Sequence, residues 1–219
     1  MTVTALAVGL SLVLCVQEPG PPDLKTDDPL SLPAKMTDLE EVYRGGLAWR
    51  DFFVRADARR DLWERNWAGA RVAPALASRA RAAGGPWKIL AITEAGCSDS
   101  VSTIPFIAKL AEEVETLELR LVDSTVGRPW MESHRSPDGR AATPTVLVLD
   151  SQYRIQGCWI EQPVALQEFW LDVVARGTME EEVGRKFAWY DEEGGRETLR
   201  EFVEILEGAQ AGTPICPGL

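Results

Sequence analysis

Downstream of Gly84-Gly85-Pro86 the chain repeatedly switches its hydrophobic period, and this alternation restricts the fold more than any other feature. Trp87 to Thr93 (WKILAIT) is a short apolar run rich in β-formers, bounded by turn residues, and reads as a buried strand. Ser98 to Val114 follows with a helical period through Val101, Ile104, Ile107, Ala108 and Leu110. Leu117 to Val122 reads as a second strand and Thr145 to Leu149 as a third, turning at Asp150-Ser151 into a fourth over Tyr153 to Ile160. A helix over Val164 to Ala175 closes the block. Strand–helix–strand, then a hairpin, then a helix predicts an α/β fold: a central mixed sheet with helices on both faces.

Helical additions flank that block. Asp38 is placed to cap a helix, with Glu41 completing a capping-box spacing, and Leu39, Val42, Tyr43 and Leu47 recur on one face. Phe52, Phe53, Leu62, Trp63 and Trp67 continue the apolar pattern, and Trp63 with Trp67 is read as the core of this extension. A second short helix spans roughly 73–83, and one or two amphipathic helices are expected over 179–208. The domain therefore runs over 38–208 with its core at about 86–176, and 209–219 reads as a loose tail holding Cys216.

The first 37 residues differ in kind. Residues 1–16 include the uncharged run Thr4 to Val16, which has the length of a signal-peptide core but falls short of the roughly 20 residues of a membrane span. Residues 17–37 form a Pro- and Asp-rich linker. This order predicts export, as a periplasmic, secreted or lipid-anchored protein. Against it, no Lys or Arg precedes the run, and Leu14 is large for a lipoprotein box ending at Cys15. A mis-assigned start would instead make the chain cytoplasmic.

Charge excludes some partners. With 34 acidic and 23 basic residues the net charge is -11, which repels phosphate backbones and argues against nucleic acid. The four cysteines, Cys15, Cys97, Cys158 and Cys216, contain no Cys-x-x-Cys pair, so a zinc knuckle has no support.

Cys97 stands out because Glu94 to Ser100 joins the first strand to its helix. A cysteine at a helix N-terminus meets unpaired N–H groups and the positive end of the dipole, which favour the nucleophilic thiolate. Ser100 could donate a hydrogen bond to the sulfur, whereas an ionised Asp99 would oppose the thiolate. His134, the only histidine, is read as a surface residue, Asp123 as structural, Glu94 as a solvated charge, and Cys158 as packing within a strand. Zinc capture by Cys97 with Asp99 or His134 is a minor alternative. No metal site and no cofactor are expected.

Cys97-Ser98-Asp99-Ser100 resembles a thioredoxin active site whose second cysteine is replaced by serine. Pro105 stands eight residues after Cys97, where thioredoxins carry a helix-kinking proline, and Thr143-Pro144 matches their cis-proline. Ile92 to Ser100, followed by Pro105 to Glu112, and Gly157-Cys158-Trp159-Ile160-Glu161-Gln162-Pro163 resemble a bacterial thioredoxin-like subfamily with a single-cysteine Cys-x-Asp-Ser motif. The likeness covers about 43–206. It implies a thioredoxin-like fold and thiol–disulfide exchange at Cys97, with Ser100 and Asp99 as its catalytic neighbours. Thr143, Pro144, Gly96 and Ser98 would form the substrate-binding edge. Two departures weaken activity: Gly96 replaces the usual aromatic residue, which opens the site, and Ser98 replaces glycine. With Ser100 in the second position, a mixed disulfide must be resolved by an external thiol, by another substrate thiol, or by Cys158 or Cys216. Protein or low-molecular-weight thiols and disulfides are the implied partners. The competing reading is a redox-inactive thioredoxin-like module that binds peptide or acts as a scaffold.

Overall fold

The computed structural model describes residues 38–216. Segments 1–37 and 217–219, and with them the expected signal, anchor and linker, lie outside the described residues. Among the described residues, four helices precede the sheet: α1 (Leu39–Gly45), α2 (Trp49–Arg55), α3 (Arg60–Gly69) and α4 (Pro74–Ala82). Asp38 caps α1 as expected, its carboxylate accepting the Glu40 N–H at 3.1 Å. The aromatic residues bring α2 and α3 together. Trp63 is fully buried, and Trp49 sits with ring centroids 6.1 Å from Trp63 and 5.0 Å from Trp67. Each such ring pair adds about 0.5–1.5 kcal/mol beyond its buried area.

The sheet contains β1 (Trp87–Ile92), β2 (Leu117–Val122), β3 (Thr145–Leu149) and β4 (Ile155–Ile160), in the order β2-β1-β3-β4. β1 and β2 run parallel, joined by the crossover helix α5 (Ser98–Glu113); β1–β3 and β3–β4 are antiparallel. α6 (Ser124–Ser133) lies between β2 and β3, and α7 (Val164–Arg176), α8 (Met179–Glu193) and α9 (Arg196–Ala211) follow β4. This is the mixed sheet the sequence predicts.

Alternation along the strands feeds two cores, because successive side chains point to opposite faces. Ile89, Ala91, Val146, Val148 and Trp159 join one cluster with residues of α2 to α5 and α9. Leu90, Leu147, Leu149, Cys158 and Ile160 join the other with Val42 and Tyr43 of α1. With both faces covered, the central strands β1 and β3 are apolar nearly throughout, whereas the edge strand β2 alternates leucines with Glu118 and Arg120.

The N-terminal extension also repairs a defect in α5. Pro105 has no N–H to offer the carbonyl of Val101, one turn back. The Asn66 side-chain amide, on α3, donates to that carbonyl at 2.8 Å. The extension therefore supports the helix that carries Cys97.

The expected loose tail is corrected. α9 continues to Ala211, Ile215 bridges Gly157 in parallel, and Cys158 N–H donates to Ile215 O at 2.9 Å. Cys216 is joined by a disulfide to Cys158, with Cα atoms 4.6 Å apart. An added strand-like pairing at the edge of β4 ties residues 213–216 down, and sequence periodicity has no means of showing a contact so short.

Candidate functional site

Cys97 is the N-cap of α5, and the Ser100 backbone N–H donates to its sulfur at 3.4 Å. The amide, and not the Ser100 hydroxyl, supplies the expected hydrogen bond; the hydroxyl instead accepts the Glu94 N–H at 3.5 Å. Sγ lies 3.2 Å from the carbonyl oxygen of Thr143, and the Thr143-Pro144 bond is cis. Two segments 46 residues apart in sequence, both singled out above, thus meet at the sulfur. Cys97 is disulfide-bonded and only 2% exposed, so its sulfur does not stand open to solvent. Gly96 and Ser98 on either side are half-buried.

The closure around Gly96 has identifiable parts. Arg59, at the mouth of α3 with a left-handed backbone (φ 55°), donates from Nε to Gly96 O at 2.6 Å. The Trp63 indole N–H donates to Ala95 O at 3.0 Å. Where an aromatic residue would stand before the cysteine, this chain uses side chains of its N-terminal extension to hold the loop backbone. On the other side of Ala95 lies a cleft of about 520 Å³, walled by Leu47, Phe52, Arg55, Leu121 and Val126.

Asp99 is placed in a way the sequence did not reveal. It is 1% exposed, with Lys186 Nζ and the Tyr190 hydroxyl each donating to its carboxylate at 2.7 Å. Both partners come from α8, outside the sheet domain's core. Burial, with the Asp99 charge adding to it, pushes the Tyr190 phenol well above its ordinary value, so it remains a donor at neutral pH. Next to this group, Glu161 accepts both terminal amines of Arg140 at 3.0 Å, and its backbone N–H donates to Pro144 O at 2.7 Å. Burial pushes the Glu161 carboxyl up, reinforced by Asp99 and opposed by Arg140 and Lys186.

The remaining candidates resolve as follows. Cys216, a possible resolving thiol, is bonded to Cys158, which is why neither stands ready for a mixed disulfide at Cys97. No described cysteine is a free thiol, so the chemistry below concerns reduced Cys97. Glu94 is not simply solvated: it accepts the Ser124 N–H at 2.8 Å at the start of α6. Asp123 caps the same helix through the Val126 N–H at 2.9 Å. His134 is buried rather than on the surface, its Nδ1 2.9 Å from Trp130 O and 3.0 Å from Ser133 Oγ. Among the described residues no cluster of His, Cys, Asp and Glu could hold a metal.

A four-stranded mixed sheet, a cysteine capping the first crossover helix and a cis-proline against its sulfur define the thioredoxin-like class of fold. The family model described as thioredoxin matches residues 46–179, and the chain belongs to that family. No curated protein matches the sequence. Two solved structures share the fold. A protein of unknown function from Pseudomonas aeruginosa superimposes with TM-score 0.60 at 18% identity, over 80% of this chain and 99% of its own. An HIV epitope-scaffold superimposes with TM-score 0.57 at 19% identity, over 77% and 97% respectively.

Proposed function

We propose that this chain is a single-cysteine thiol–disulfide exchange protein of the bacterial Cys-x-Asp-Ser type, acting through Cys97. The observation that carries the reading is the sulfur itself, which accepts a helix N-terminal amide and lies 3.2 Å from the Thr143 carbonyl. An amide hydrogen bond and the helix dipole both favour the thiolate. The backbone before Pro144 is the edge against which an extended substrate segment can pair. Ser98 and Gly96 border it.

The reaction balances with an external thiol. The Cys97 thiolate attacks a glutathionylated protein, takes the glutathionyl sulfur into a mixed disulfide and releases the protein thiolate. A second glutathione thiolate then attacks the bound glutathione sulfur, forming oxidised glutathione and restoring Cys97. Ser100 offers no second sulfur within the motif, the Cys158–Cys216 bond leaves that pair committed to each other, and the cycle starts once the disulfide at Cys97 itself has been reduced. Export fits this chemistry, since structural disulfides persist in oxidising compartments. The partners proposed are protein or small thiols and disulfides.

The second reading is a redox-inactive module that holds peptide beside Pro144. One experiment separates the two. Reduced protein is treated with oxidised glutathione, and the Cys97 peptide is followed by mass spectrometry alongside Cys97→Ser. An adduct on Cys97, removed by added glutathione and absent in the variant with its exchange activity, supports the first reading. A folded, reduced protein inert to disulfides supports the second.

A further inference from the structure

Asp99 poses an electrostatic problem for any ionised Cys97. It is a buried carboxylate in the first turn of the helix whose N-terminus holds the sulfur, and buried charges are little screened by salt. A second buried carboxylate, Glu161, lies close enough to raise the problem further. The groups facing Asp99 are few. From α8 come Lys186 and Tyr190, with Glu193 one turn beyond Tyr190; from the turn after β4 comes Glu161, which holds Arg140 beside it; and Arg59 at the start of α3 donates to Gly96 O next to the sulfur. Arg140 is already divided between Glu161 and Asp138, its Nε donating to Asp138 at 2.5 Å. Glu94 is occupied with Ser124. Lys186 is therefore the cation that answers Asp99. It is 3% exposed, and its Nζ also lies 4.4 Å from the Trp170 ring centroid, over α7.

We propose that Lys186 is a positioning residue of the reactive centre: by neutralising Asp99 from α8, it allows Cys97 to ionise at neutral pH. The C-terminal helices are then part of the site rather than an appendage. This rests on the reading of Cys97 as a nucleophile, and adds to it the charge that tunes it. The interaction is one of sign. A neutral residue at 186 leaves Asp99 to oppose the thiolate, whereas a neutral residue at 99 leaves Lys186 to favour it.

The test is the pH dependence of iodoacetamide alkylation at the Cys97 peptide in reduced full-length protein. Lys186→Gln should raise the apparent Cys97 pKa by about one unit, roughly tenfold in rate below the pKa. Asp99→Asn should lower it by a similar amount, and the double variant should return close to wild type. A purely structural pair would instead move both single variants in the same direction, or neither, and either result overturns the proposal. Should Lys186→Gln fail to fold because it strands a buried carboxylate, Asp99→Asn and the double variant decide alone. Their profiles must differ, with Asp99→Asn the lower, or the idea is wrong. Wild-type Cys97 that alkylates but never exchanges with disulfides defeats the functional reading instead, so the two failures are distinct.

Discussion

The Cys158–Cys216 disulfide sets a stability prediction that can be worked from the structure. It closes a segment with a sequence separation of 58, running from β4 through α7, α8 and α9. Loop-closure entropy for a chain of that length gives about 4 kcal/mol of stabilisation, taken from the unfolded ensemble. The double variant Cys158→Ser/Cys216→Ser should lose roughly that amount in urea unfolding, with a steeper slope because the released unfolded chain exposes more surface. For a domain of this size the same loss lowers Tm by roughly 8–16 °C. The pairing of Ile215 with Gly157 should persist in the native state, because its hydrogen bond from Cys158 N–H involves backbone alone. A loss below about 1 kcal/mol would show that the bridge does not constrain the unfolded chain as reasoned. The glutathione adduct on Cys97 should form equally well in this variant. Its disappearance would reassign the pair to a relay with Cys97.

Asn66→Ala removes the donor to the Val101 carbonyl that Pro105 leaves open, and should cost about 1–3 kcal/mol in chemical unfolding; a neutral result would mean water replaces the amide. Trp63→Phe keeps most of the ring and loses the bond to Ala95 O, so a fall of about 1 kcal/mol is expected together with an altered rate of Cys97 modification. An unchanged rate would separate the loop anchor from the sulfur. Stability should peak within the usual carboxylate range, at about pH 4, and decline above it. Burial raises the carboxyls of Glu161, Glu193 and Glu201, so the folded state binds protons more readily there and loses stability as pH rises above the usual carboxylate range. At Asp138 and Asp150, burial is outweighed by hydrogen bonds from Ser136 and Arg140, and from the Arg154 backbone and side chain. Their lowered values contribute stability that disappears only as pH falls below that range. A urea midpoint rising steadily from pH 5 to 8 would contradict this assignment.

Much of the site was legible before the structure. The strand-to-helix position of Cys97, the Thr143-Pro144 pair and the cap at Asp38 are local patterns, and each took its expected place. Asp99 is the instructive failure. Its spacing in the motif placed it in the first helical turn, but its partners lie 87 and 91 residues away on α8. The same holds for Cys216, read as mobile, and for His134, read as exposed; both are fixed by neighbours distant in sequence or hidden by the packing of the loop.

From residue order alone, the alternating periods of two and 3.6 determined the mixed α/β sheet, because burial of one face per element leaves few arrangements. They also marked Cys97 as a cysteine at the junction of a strand and its following helix. Tertiary structure alone decided which charge answers Asp99, what closes over Gly96 and where Cys216 ends up. Those outcomes depend on which helices touch in space, and a buried charge or thiol finds its partner by proximity, with no trace in local periodicity.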